Sequence, residues 1–136
     1  MEKQENIKTK GFSLIELIFV IAILGIISAV AIPKLMDSRD NATVSSISQD
    51  VSTITNAIQS YSLSNGTISK ISDSVNINSK NWTISDSNVI YKVDGTDCIK
   101  IAIANSKLDV TIDSNSTTLC QKIADNGVGN MSYNLY

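Results

Sequence analysis

Between Phe12 and Ile32 the chain reads FSLIELIFVIAILGIISAVAI, 21 residues with one charged side chain, Glu16. As a helix rising about 1.5 Å per residue this run spans ~31 Å, the thickness of a bilayer hydrocarbon core, about 30 Å. Lys8 and Lys10 stand just before it, in a polar start that also carries Glu2, Lys3 and Glu5. Positive charge beside a first apolar segment holds that end in the cytoplasm.

Three readings fit such a segment. The first is a plain signal-anchor helix. The second is a cleavable secretory signal, because Ala29, Val30 and Ala31 form an A-x-A pattern ahead of Ile32 and Pro33. Glu16 argues against it: a carboxylate early in the apolar region costs a few kcal/mol in lipid and gives such a signal nothing in return. The third gives every unusual residue a purpose. Lys10, Gly11, Phe12, Ser13, Leu14, Ile15, Glu16 and Leu17 join a short charged leader, a glycine, a phenylalanine and a carboxylate inside the membrane span.

That string resembles the prepilin cleavage and methylation motif of the type IV pilin and type II secretion pseudopilin superfamily. The resemblance covers about the first 50 residues and stops short of the subfamily. It implies that prepilin peptidase cuts between Gly11 and Phe12 on the cytoplasmic face, removing a leader of residues 1–11, and methylates the new amine of Phe12. Glycine suits the cut, since a residue without Cβ leaves room for extended backbone at the peptidase. It implies too that Glu16 pairs with the Phe12 amine of an adjacent subunit, where the alternative is a Glu that snorkels from shallow depth. Gly25 and Pro33 fall where the family has helix-loosening residues. The implied partners are other pilin or pseudopilin subunits, the lipid bilayer, and an inner-membrane assembly platform driven by a cytoplasmic ATPase.

Pro33 closes the apolar run and Lys34 opens the aqueous part, but a helix interrupted by proline can continue. Val44, Ile47, Val51, Ile54, Ile58 and Tyr61 follow alternating spacings of three and four, a sustained helical stripe. Asn65 and Gly66 then supply a stop. Thr43, Ser45, Ser46, Thr53 and Thr55 are mediocre helix formers and the charges of a zipper are missing, so the stripe is expected to dock on a sheet of its own chain.

Residues 67–88 read as loop with a short strand near Trp82 to Ile84. Val89 to Val93 and Cys98 to Ala104 read as a hairpin about Asp94 and Gly95, Leu108 to Ile112 as a further strand, and Thr117 to Ile123 as a last one. The expected fold is α+β and pilin-like: a membrane and filament-core half-helix over residues 12–33, an amphipathic half over 34–65, and a small antiparallel sheet domain over 66–136.

Composition trims the function classes. Eleven Lys and Arg against thirteen Asp and Glu leave a net charge of −2, too weak a field to gather nucleic acid. With no His, triads and imidazole metal sites are excluded by construction. Cys98 and Cys120 read as one structural disulfide on the far side of the membrane. The acidic turns at Asp94/Asp97 and Asp113/Asn115 offer oxygen ligands of the kind calcium takes but read as ordinary solvated turns, so no metal is expected; the N-x-S/T triplets at Asn41, Asn65, Asn81, Asn115 and Asn130 arise by chance in a chain rich in those residues, and Trp82 reads as a core or lid residue ahead of ligand binding. No cofactor and no catalytic residue are expected.

The function expected is that of a structural filament subunit with a cytoplasmic N-terminus and a periplasmic C-terminal domain, the small domain favouring a secretion pseudopilin over a surface or DNA-uptake pilin. A membrane-tethered periplasmic binding module is the reading from another class. A mere tether has no use for Glu16.

Overall fold

A computed structural model describes residues 11–77 and 80–136; the expected leader, Gly11 apart, lies outside them. The architecture is the α+β one expected, a long N-terminal apolar helix and an antiparallel sheet. Helix α1 runs Leu14–Asn65 and passes through Pro33. Proline has no N–H for the carbonyl of Ala29, so the ladder loses one bond at that turn. The chain divides into two compact units, one ending at Ser38 and one comprising Arg39–Tyr136.

In the second unit α1 buries Val44, Ile47, Val51, Ile54 and Ile58, the stripe read from spacing except for its last member, Tyr61, which is only half-buried. Thr55 and Ser62 are buried with them, and each is reconciled to an apolar setting by a hydrogen bond. Thr55 Oγ1 donates to Val51 O at 2.7 Å, and Ser62 Oγ donates to Leu135 O at 2.9 Å, tying the C-terminal segment to the end of the helix. Gly66, at φ +79°, ends α1 in the left-handed region as a helix-stopping glycine does.

A short 3-10 turn, Ile71–Asp73, precedes a sheet of five strands: β1 Trp82–Ile84, β2 Asn88–Val93, β3 Thr96–Ala104, β4 Lys107–Ile112 and β5 Met131–Asn134. Their order in the sheet is their order in the chain, β1-β2-β3-β4-β5. Both tight hairpins turn on two residues with positive φ, Asp94 and Gly95 at 50° and 82°, Asn105 and Ser106 at 51° and 63°. That geometry follows the right-handed twist of the flanking strands. Period-two alternation puts Val89, Ile101 and Val110 in register across three strands, all fully buried, and Trp82 opposite Tyr91.

Trp82 is core: its ring lies 5.2 Å from that of Tyr91, and its indole N–H donates to Asp50 Oδ2 on α1 at 3.1 Å. Burial, and after it the nearby Asp50 carboxylate, raise the Tyr91 phenol above its ordinary pKa of 10.0.

One expected strand is corrected. Residues 117–123 do not extend the sheet; Thr118–Asp125 is a helix, α2. Thr117 Oγ1 caps it by accepting from Cys120 N at 3.2 Å, and the i, i+4 pair Leu119 and Ile123 turns inward. A Thr-rich start that suits a strand serves equally as an N-cap. The strand that completes the sheet is β5, whose four residues carry too short an alternation to stand out. Cys98 on β3 and Cys120 on α2 form a disulfide, with Cα atoms 5.7 Å apart. Lys122 Nζ reaches Asp40 Oδ2 at 2.8 Å, linking α2 to α1.

Candidate assembly segment

The first unit owes its character to what it leaves uncovered. Every residue from Gly11 to Val30 is exposed, among them Phe12, Leu14, Ile15, Phe19, Ile26 and Val30. No soluble protein leaves so long an apolar helix in water, because apolar surface of this extent is driven out of it. Among the described residues α1 is the one helix long and apolar enough to cross a membrane.

The segment also has a defined beginning. Gly11, Phe12 and Ser13 are not helical, and the helix opens at Leu14. Ser13 Oγ accepts from Glu16 N at 3.3 Å, and Ser13 O accepts from Leu17 N at 3.2 Å. Ser13 is therefore the N-cap, with Glu16 three residues on in the S-x-x-E spacing of a capping box. Sequence reading by way of the resemblance gave Ser13 no task, although a serine three residues before a glutamate at the head of an apolar run is a legible start signal. Glu16 lies in the first turn of α1, where the positive end of the helix dipole favours a carboxylate.

The other expected residues fall along the same element or away from it. Gly25 and Pro33 both sit inside α1, and a Cβ on Gly25 would meet open space. The acidic turns do not gather: Asp97 pairs with Lys92 at 3.3 Å, and Asp113 Oδ1 accepts from Asn115 N at 3.1 Å. Among the described residues no group of three or more His, Cys, Asp or Glu side chains is placed to hold a metal ion.

The helix is apolar, capped and carries one carboxylate near its start, and a small disulfide-linked sheet unit follows it. The family model described as the prokaryotic N-terminal methylation motif matches residues 7–32. The type II secretion system core protein G of Pseudomonas aeruginosa is 40% identical over 55 residues, covering 40% of this chain and 39% of that protein. Core protein G of Escherichia coli is 33% identical over 58 residues, 43% of this chain and 40% of that one. The fimbrial protein EcpB of Eikenella corrodens is 40% identical over 53 residues, 39% of this chain and 33% of that one. The chain thus matches well under half the length of these relatives. No solved structure matches it. Motif and relatives are those of the type IV pilin and pseudopilin superfamily.

Proposed function

We propose that this chain is a structural subunit of a type IV pilus-like filament, in particular a pseudopilin of a type II secretion system. The observation that carries the reading is the exposed apolar start of α1 with Glu16 in its first turn, a surface that needs lipid before assembly and neighbouring helices after it. Prepilin peptidase removes the leader between Gly11 and Phe12 and methylates the Phe12 amine. The subunit then waits in the inner membrane, N-terminus cytoplasmic and sheet unit periplasmic, until an assembly platform driven by a cytoplasmic ATPase draws it into the filament.

Glu16 meets the Phe12 amine of the adjacent subunit there. Two charges that are each costly in an apolar bundle become a hydrogen-bonded pair, and only the correct axial register brings them together. Gly25 and Pro33 loosen the helix so that it can follow its neighbours. The match to a fimbrial protein supports a second reading, a pilin or minor pilin for adhesion, motility or DNA uptake; five of the matches to core protein G favour the first.

The test is Glu16→Ala as the only copy in the cell. Processed monomer is expected at normal levels, with sheared polymer reduced at least about tenfold, as loss of a paired buried charge worth over ~1.4 kcal/mol requires. Undiminished polymer would return Glu16 to a snorkelling side chain, and a mature terminus at Ile32 would identify a secretory signal instead.

A further inference from the structure

We propose that Ser13 is a positioning residue for leader removal, stopping the helix one residue beyond the scissile bond so that the Gly11–Phe12 peptide is held non-helical for hydrolysis. The inference rests on the cleavage reading above and goes beyond it by naming what prepares the substrate.

Hydrolysis adds water across the bond between the Gly11 carbonyl carbon and the Phe12 nitrogen, leaving a Gly11 carboxylate and the Phe12 amine. Inside a helix that carbonyl would accept from Ile15 N, four residues on, and the surrounding turn would shield its carbon. The structure keeps it free of that turn. Gly11 and Phe12 are non-helical, Phe12 is 74% exposed, and the Ser13 hydroxyl takes the Glu16 N–H that a longer helix would direct to Phe12 O. The first helical carbonyl is that of Ser13 itself, accepting from Leu17 N.

A helix of this apolar character has every reason to grow backwards, since Leu, Ile and Phe pack against lipid and the backbone must be satisfied internally there. Serine resists, because its side chain competes for the orphan N–H groups and favours the cap over the interior. Alanine does the opposite: it is the best interior residue and a poor cap. In the Ser13→Ala sequence the next side chain upstream able to cap is Thr9, and a helix begun there would hold Lys10, Gly11 and Phe12 in its first turn. Ser13 remains on the Phe12 side of the cut, so the same cap also begins the helix of the mature subunit.

The experiment uses the full chain in phospholipid vesicles with purified prepilin peptidase, reading initial cleavage rate by the mass of the new terminus for wild type, Ser13→Ala and Ser13→Asn. Ala is expected to slow cleavage about fivefold, the fold-change to which ~1 kcal/mol of capping converts, while Asn, an equally good cap without a hydroxyl, stays near wild type. Backbone carbon shifts of Gly11 and Phe12 in micelles should move towards helical values in the Ala chain and stay put in the Asn chain. An Ala chain cut at the wild-type rate, unmoved shifts in that chain, or an Asn chain as slow as Ala would each overturn the role of the cap, the last pointing to direct contact between hydroxyl and peptidase. Failure of wild type to be cut between Gly11 and Phe12 sinks the cleavage reading itself, a distinct outcome.

Discussion

At the scale of single residues, Asp50 ties the long helix to the aromatic pair of the sheet. Asp50 receives the Trp82 indole N–H and bears on the Tyr91 phenol, whose pKa lies above the ordinary value through burial and then through that carboxylate. A raised folded-state pKa means the native protein keeps this proton longer than the unfolded chain does. The stability tied to it is complete below about pH 10, where the unfolded tyrosine titrates, and drains as pH rises through the folded pKa. Urea unfolding of the sheet unit at several values between about pH 9 and pH 11 should show a steeper loss for wild type than for Tyr91→Phe. Identical slopes would mean that burial of Tyr91 does not reach its proton. Gly11 illustrates the opposite economy: a Cβ there meets nothing within 4 Å. Gly11→Val should leave the fold of the chain intact yet leave the precursor uncut by the peptidase, as the intact mass of the membrane-bound protein will show.

At the scale of elements, α2 needs outside help. A helix of eight residues is too short to be stable on its own, and it is held by its Thr117 cap, by buried Ile123, by the Lys122–Asp40 pair and by the disulfide to β3. The ion pair is half exposed and contributes little. The disulfide closes a loop between positions 22 apart in sequence and is worth about 3 kcal/mol on the chain-entropy estimate. Replacing Cys98 and Cys120 together by Ala should therefore lower the midpoint of thermal unfolding by more than about 10 °C for a unit of this size, with α2 the first element to lose amide protection. A shift of a degree or two, or α2 amides protected as well as those of β3, would show that packing alone seats the helix.

At the scale of the whole molecule, the two units answer to different solvents. The stretch Arg39–Tyr136 has its own core, running from Val44 on α1 to Leu135 near the C-terminus, whereas among the described residues before it every apolar side chain but that of Ala31 is exposed. A polypeptide beginning at Arg39 is expected to be soluble, monomeric and folded, with helix and strand signals by circular dichroism and cooperative unfolding. The full chain should partition into detergent. Aggregation of the shorter polypeptide, or a non-cooperative melt, would mean that the apolar segment contributes to the fold of the sheet unit.

The sequence alone determined whatever depends on local pattern: the membrane-length apolar run, the helical stripe from Val44 to Ile58, the helix stop at Gly66, and the alternation of β2, β3 and β4. Those patterns are strong because each residue's environment is repeated every two or every three to four positions, so many residues testify to one element. The capping role of Ser13 was written there as well, in a spacing of three. Tertiary structure decided the rest. Whether Thr117–Ile123 would be strand or helix could not be settled locally, since threonine suits both; the attachment of Cys120 to Cys98 and the burial of Ile123 settled it. β5 has only Met131 and Tyr133 to face inward, and it becomes a strand because β4 offers it an edge in register. Thr55 and Ser62 look like solvent-facing residues by composition, and they are core because a hydrogen bond to Val51 O in one case and to Leu135 O in the other removes the cost of burying them. Thr55 finds its acceptor four residues away in its own helix, but a distance of 73 residues along the chain, as between Ser62 and Leu135, is closed only by the fold.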